Sequence, residues 1–345
     1  MREIQVRTDS SFSRVLLGEK FTNLERYCDV DNMVILTDKN LKTHYHYKFP
    51  AGKVISIDTG EKIKTLDTVN EIYRQLLAYE VDRSTWLIGI GGGIVCDIAG
   101  YVASTYLRGL PFGFVSTSLL SQVDASVGGK NGVNFLGYKN MIGTFSQPAF
   151  VICDVEMLQT LPRKEFIAGF AEIAKHGAIK VEEHFNYLEK NYKKALQFDR
   201  EVLENLIHDS VSIKAAVVIQ DEREKGERRK LNFGHTFGHA IEKNTKIIHG
   251  EAVSIGMVLA AKLSANLGLL SNEAVTRLTS LLDGLGLPVK SPLSPSELFN
   301  AMKQDKKREK DEINLVLLER VGSAVVKSIS LKKLEEMLHD LHVHS

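Results

Sequence analysis

The segment from Trp86 to Ser104 constrains the fold more than any other. An apolar run, Trp86 to Ile90, breaks into Gly91-Gly92-Gly93 and continues as a helical pattern from Ile94 to about Ser104. A strand, a glycine turn and a helix in that order point free backbone N–H groups and a helix N-terminus at one spot, an arrangement suited to phosphate. Similar apolar runs flank it. Met33 to Leu36 ends in Thr37-Asp38, Val54 to Ile57 ends in Asp58-Thr59-Gly60, and Phe112 to Val115 and Phe150 to Cys153 follow later. Leu66, Val69, Ile72, Tyr73 and Leu76 fall three or four residues apart, as on one face of a helix. Strands alternating with helices need right-handed crossovers and hence a parallel sheet, so the first part reads as a Rossmann-like α/β domain. Ile4 to Leu17 alternates more loosely, as a hairpin would.

After Asp154 strand-like runs become rare. Val202, Leu206, Ile207, Val211 and Lys214 lie at helical spacing, as do Val253, Met257, Ala260 and Ala261, and then Val275, Leu278, Leu281 and Leu282. Leu285-Gly286-Leu287-Pro288 stops a helix. Ile313 to Leu318 and Ala324 to Ile329 read as a late strand pair. The expected division is an α/β domain over residues 1–155 and a mostly α-helical domain over residues 156–345.

Charge excludes some partners. There are 44 Lys+Arg against 43 Asp+Glu, a net charge of +1, so there is no basic excess to favour nucleic acid or an anionic membrane. Cys28, Cys96 and Cys153 are scattered, with no CxxC, which argues against a disulfide framework or a thiolate zinc site. The opening MREIQVRTDSSFS lacks the apolar core of a secretory signal. The longest mostly apolar stretch, Ala252 to Ala261, falls far short of the roughly 20 residues that span a bilayer. A soluble chain in a reducing, cytoplasmic compartment is the expectation.

The glycine turn meets the dinucleotide fingerprint only in part: Gly91-x-Gly93-x-x-Cys96 has cysteine at the third glycine, and Asp97 follows in the early helix. Asp38 and the segment Asp58 to Lys64 end two other strands, where ligands of open α/β sheets bind. Each alone reads equally as an ordinary polar loop. In Leu231 to Glu242 (LNFGHTFGHAIE), His235 and His239 are four apart and share a face if the segment is helical. His249 follows in IIHGEAV, and Glu172 sits in GFAEIAKHG beside Lys175 and His176. Two histidines and a glutamate would satisfy a catalytic zinc with one position open. Spacing alone selects His235 and His239 as the pair. Gly128-Gly129-Lys130-Asn131-Gly132 reads as a Gly-rich loop, without the Walker spacing of a nucleoside triphosphate site. Arg108, Lys139, Lys175, Lys214 and Arg228 also lie among small residues, while Lys303 to Asp311 (KQDKKREKD) reads as a largely solvated run.

The strings GGGIVCDIAGYVAS, LLSQVDASVGGKNGVN, KNMIGTF, GFAEIAKHG, DEREKGERRKLNFGHTFGHAIE, HGEAVSIGM and DKK occur in that order between about residues 58 and 307. In this the chain resembles the 3-dehydroquinate synthase family of the sugar-phosphate cyclases. The resemblance implies that residues 1–155 bind the nucleotide and residues 156–345 bind metal and substrate, with NAD, Zn2+ or Co2+ in its place, a homodimer, and a site in the cleft between the two domains. The implied substrate is a sugar acid phosphate, 3-deoxy-D-arabino-heptulosonate 7-phosphate, oxidised at C5, relieved of phosphate by β-elimination, re-reduced, opened and closed by an intramolecular aldol step to 3-dehydroquinate. It further implies that Glu172, His235 and His249 bind the metal and that His239 faces substrate, which replaces the pair chosen by spacing. Arg108, Lys130, Asn140, Lys175, Lys214, Arg228, Asn232 and a lysine of the Lys306-Lys307 pair, here taken as Lys306, match substrate contacts; Asp124 and Glu224 match other site residues. Asp38, Glu61, Lys64, Gly92, Gly93, Asp97, Thr117, Ser118, Lys130, Lys139 and Thr160 match cofactor contacts. Cys96 and Ser116 depart from the family pattern, beside the cofactor loops. Related cyclases acting on substrates without a carboxylate, and metal-dependent alcohol dehydrogenases, are the alternatives.

Overall fold

A computed structural model describes residues 1–8, 11–303, 308–309 and 311–343. Its first part holds the strands β1 (Arg2–Arg7), β2 (Phe12–Leu17), β3 (Met33–Asp38), β4 (Lys53–Ile57), β5 (Trp86–Gly91), β6 (Phe112–Ser116), β7 (Lys130–Phe135), β8 (Tyr138–Phe145) and β9 (Phe150–Cys153), and the five apolar runs are β3, β4, β5, β6 and β9. Helices α1 (Lys39–Tyr45), α2 (Leu66–Ala78) and α3 (Gly93–Thr105) intervene. Seven strands form one sheet in the order β1-β2-β9-β6-β5-β3-β4. Only the β1–β2 pair is antiparallel, the expected hairpin; the other five pairings are parallel. Strands β3, β5, β6 and β9 are almost wholly buried, as a sheet covered on both faces requires.

The chain runs from β3 outward to β4, then returns to place β5 on the other side of β3. The switch point of the sheet therefore lies between the carboxyl ends of β3 and β5, where open α/β sheets take their ligands. Asp38 ends β3, and the Gly91-Gly92-Gly93 turn ends β5.

Lys130 opens a strand instead of lying in a Gly-rich loop. β7 and β8 form a separate antiparallel hairpin turned at Leu136 and Gly137, both at positive φ (48° and 80°). At Gly132 and Gly143 the two strands touch backbone to backbone: a Cβ on Gly143 would stand 2.3 Å from the Asn131 carbonyl oxygen.

The second part is built on α4 (Arg163–Lys180), α5 (Glu182–Leu196), α6 (Arg200–Gln220), α7 (His235–Asn244), α8 (His249–Asn266), α9 (Asn272–Gly284), α10 (Pro295–Lys303) and α11 (Leu331–Val343). A small antiparallel sheet, β10 (Arg308–Glu309), β11 (Glu312–Arg320) and β12 (Ser323–Ser330), includes the expected late pair. α9 stops at Gly284, just before the Leu285–Pro288 segment. The apolar stretch from Ala252 to Ala261 is the middle of α8, buried nearly all round as a central core helix.

Two compact units result: Met1–Phe166 with Lys214–Arg223, and Ile167–Ile213 with Glu224–Ser345. The division falls later than the composition shift near residue 155, because the first turn of α4 belongs to the first unit, and the end of α6 returns to it.

Candidate active site

In the first unit, Gly92 precedes α3 and Gly93 begins it, leaving the first-turn N–H groups facing the switch point. A Cβ on Gly93 would meet Ala125 Cβ at 3.0 Å, and one on Gly92 would meet Ser118 Oγ at 3.3 Å. The backbone here is thus hemmed in closely enough to form a shaped cradle. Thr117 and Ser118 follow β6; the Thr117 N–H donates to the Gly91 carbonyl at 3.0 Å, which ties the two loops together. Cys96, at the position of the third fingerprint glycine, is fully buried with its Sγ 3.7 Å from the Gly91 carbonyl oxygen, and burial pushes its thiol pKa up. It serves as core packing under the turn.

Asp38 caps α1, accepting from the Leu41 N–H at 3.0 Å; burial raises its carboxyl pKa against the pull of those backbone donors. Glu61 accepts from Asn134 at 2.7 Å and lies 3.8 Å from the Lys139 ammonium. Lys64 is buried and donates to Asp97 Oδ2 and to Asn140 Oδ1, each at 2.5 Å. Burial raises the Asp97 pKa, and the Lys64 charge opposes that rise. Thr160 shares a hydrogen bond of 2.9 Å with the Tyr45 hydroxyl.

Asp124 and Lys214, ninety residues apart, form an ion pair: the Lys214 ammonium reaches Asp124 Oδ1 at 2.5 Å and its carbonyl at 2.6 Å. Lys130 and Arg108 are exposed. Arg108 stands at φ 69° between Leu107 at 49° and Gly109 at 128°, a left-handed turn that costs on the order of 1 kcal/mol at each non-glycine position.

In the second unit, three helices carry a cluster, and glycines set how close they come. A Cβ on Gly250 would stand 2.1 Å from the Ala168 carbonyl oxygen, and one on Gly256 2.0 Å from the Gly234 carbonyl oxygen. α8 therefore lies backbone to backbone against α4 and against the start of α7. Gly234, at φ 78°, turns the chain into α7. This packing brings Glu172 from α4, His235 from α7 and His249 from the first residue of α8 together, with one ligand atom from each within 4.8 Å of the others. His235 Nε2 lies 3.5 Å and His249 Nε2 3.8 Å from Glu172 Oε1.

Glu172 is fully buried; its Oε2 meets the Lys175 ammonium, one turn on and itself buried, while its Oε1 accepts no hydrogen bond. A buried carboxylate oxygen without a hydrogen bond is costly unless a donor or a cation meets it. Two imidazole Nε2 atoms beside that carboxylate make a donor set suited to zinc or cobalt. His235 Nδ1 lies 3.2 Å from the Phe233 carbonyl oxygen and His249 Nδ1 3.4 Å from Glu242 Oε2, so a proton on each Nδ1 leaves each Nε2 able to bind metal. The residues fit the ion.

His239 shares the face of α7 with His235, as spacing predicts, but is not one of the clustered ligands. Its ring centroid is 5.5 Å from that of His235 and 6.1 Å from that of His249. His249 enters in its place because α8 begins against α7. His176 is a fully buried histidine whose Nδ1 lies 2.6 Å from Ser210 Oγ. Arg228 is buried, and Asn232 donates to Glu224. Lys306 lies outside the described residues. Sequence reasoning missed the β7–β8 hairpin, both Lys–Asp pairs and Glu242. Only Glu242 left a signal, three residues beyond His239 on the same helix face.

Among solved structures, 2-deoxy-scyllo-inosose synthase complexed with carbaglucose-6-phosphate, NAD+ and Co2+ is 26% identical with a TM-score of 0.88, over 98% of this chain and all (100%) of that one. A 2-epi-5-epi-valiolone synthase from Streptomyces hygroscopicus subsp. jinggangensis, with NAD+ and Zn2+ bound, is 25% identical with a TM-score of 0.88, over 100% of this chain and 99% of that one. A glycine-edged parallel sheet in one unit and a Glu–His–His cluster in the other, on this fold, define an enzyme of the sugar-phosphate cyclase class. Within it, the 3-dehydroquinate synthase N-terminal model matches residues 54–168, and the C-terminal model matches residues 169–308. The 3-dehydroquinate synthase of Dehalococcoides mccartyi (strain ATCC BAA-2100) is 42% identical over 93% of this chain and 94% of that protein. The chain belongs to the 3-dehydroquinate synthase family.

Proposed function

We propose that the protein converts 3-deoxy-D-arabino-heptulosonate 7-phosphate to 3-dehydroquinate and inorganic phosphate, as an NAD- and divalent-metal-dependent carbon–oxygen lyase of the shikimate pathway. The observation that carries the reading is the Glu172–His235–His249 cluster around a buried carboxylate, in a chain 42% identical to a curated 3-dehydroquinate synthase.

Glu172, His235 and His249 would hold the metal. Asp38, Glu61, Lys64, Gly92, Gly93, Asp97, Thr117, Ser118, Lys139 and Thr160 would hold NAD, with Lys130 shared between cofactor and substrate. These groups supply Lewis acidity at a substrate oxygen and a hydride acceptor that is regenerated within each turnover.

The chain's own residues supply the rest. Lys175, paired with Glu172, and Arg228, both buried, would present positive charge to a substrate anion. Arg108, Lys130, Asn140 and Lys306 extend that grip to a second anionic group, so that carboxylate and phosphate are both fixed. Lys214 is held in place by Asp124. Glu224 fixes the amide of Asn232. His239, beside the cluster yet outside it, is placed to hold or move a proton at a ring nitrogen. A homodimer and a cytoplasmic setting belong to the same reading; no described helix is long and apolar enough to cross a membrane.

A cyclase using glucose 6-phosphate or sedoheptulose 7-phosphate would not need cations for a carboxylate, and a dehydrogenase would not need them for phosphate. The test is a substrate comparison with NAD and zinc present. Heptulosonate 7-phosphate should release phosphate and give 3-dehydroquinate, with glucose 6-phosphate and sedoheptulose 7-phosphate inert. A cyclic product from either of those, formed faster, would overturn the assignment.

A further inference from the structure

Glu242 lies outside every set of site residues described above, yet it faces the cluster. It follows His235 by seven residues and His239 by three on α7, so the three share one helix face. Its side chain is only 11% exposed, and Oε2 lies 3.4 Å from His249 Nδ1, while His249 Nε2 points to the Glu172 carboxylate at 3.8 Å. A neutral imidazole has one N–H. If Glu242 accepts it at Nδ1, the proton cannot sit on Nε2, and the Nε2 lone pair is aimed into the cluster.

The two histidines differ in how they are held. The Phe233 carbonyl, two residues away, orients His235, whose side chain is 11% exposed. His249 opens α8 with its side chain 30% exposed, so packing restrains it less, and its Nδ1 contact comes from a side chain on another helix.

We propose that Glu242 is a positioning residue that fixes the tautomer and orientation of His249 for metal binding. This rests on the metal site proposed above. Zinc affinity of apo-protein, measured by competition with a chromophoric chelator, tests it without reference to turnover. Glu242→Ala should weaken zinc about 10- to 100-fold, the usual effect of removing a ligand's orienting partner. Glu242→Gln, which keeps an acceptor oxygen but loses the charge, should fall between wild type and Glu242→Ala. The visible spectrum of the Co2+-loaded Glu242→Ala protein should shift, and the melting temperature of its apo form should match wild type. Zinc affinity of a folded Glu242→Ala within about twofold of wild type would overturn the proposal; should that variant not fold, unchanged affinity in Glu242→Gln would do so. A wild-type protein that binds no zinc would refute the metal site itself, and the proposal with it.

Discussion

The glycine edge of the parallel sheet and the histidine cluster of the helical unit are built from different materials. The edge is made mainly of backbone: a turn at the switch point, with Ala125 and Ser118 against Gly93 and Gly92. The cluster is made of side chains from three helices, held at short range because Gly250 and Gly256 let those helices touch. A backbone site is written into local sequence, since a strand, three glycines and a helix can fold in few ways. A side-chain site depends on which helices meet, and local spacing is silent on that.

The largest expected difference is in activity. A metal contributes several kcal/mol of charge stabilisation, and about 4 kcal/mol corresponds to about 10³-fold in rate. His249→Ala should lose zinc and about that much kcat together, whereas His239→Ala should keep zinc and lose rate. Metal analysis of the two purified variants would separate them; His249→Ala with full zinc occupancy would remove His249 from the ligand set.

The backbone contact behind the cluster comes next. Gly256→Ala places a Cβ 2.0 Å from a backbone oxygen that has no rotamer to yield. Overpacking of this kind costs about 3 kcal/mol. Denaturant unfolding should show the loss, with metal affinity falling alongside; unchanged stability would mean that α7 and α8 can separate without cost.

The helical unit should also be the more acid-sensitive of the two. Burial pulls the His184 pKa down to about 4 from 6.5. Between those values the unfolded chain binds the proton and the folded chain does not, so stability falls as pH drops from 6.5 toward 4. The full effect is at most about 3 kcal/mol. His184→Leu should flatten that part of the stability–pH profile, and an unchanged slope would assign it to other groups.

The smallest effect belongs to the β7–β8 hairpin. Leu136 is 81% exposed at φ 48°, a conformation that asparagine adopts more readily. Leu136→Asn should stabilise the protein by about 1 kcal/mol, seen as a small rise in melting temperature.

These contrasts explain what could be read from sequence. The parallel strands and the β11–β12 pair were legible because each is an apolar run bounded by turn residues, and the β1–β2 hairpin through its looser alternation. β7 and β8 were not, because Leu136-Gly137 replaces the Asn-Gly that marks such a turn, and Gly128 to Gly132 reads as a loop. His235 and His239 were legible as one helix face, yet spacing put His239 where the geometry puts His249. The chain leaves α7 and re-enters as α8, a tertiary event with no local signature. The pairing of Lys214 with Asp124 was hidden for the same reason. Resemblance to a family supplied Glu172 and His249 as expected ligands; Glu172 Oε1, buried without a hydrogen bond and facing two imidazole Nε2 atoms, supplies the physical reason for a cation there.

The central claim is that the nucleotide is used as a catalyst, oxidised and restored in each cycle. The direct measurement is the number of phosphates released from heptulosonate 7-phosphate per NAD supplied, with NADH absorbance followed in the same cuvette. Many phosphates per NAD with no standing NADH is the predicted result; NADH accumulating in step with product, or release that stops at one phosphate per NAD, would contradict it.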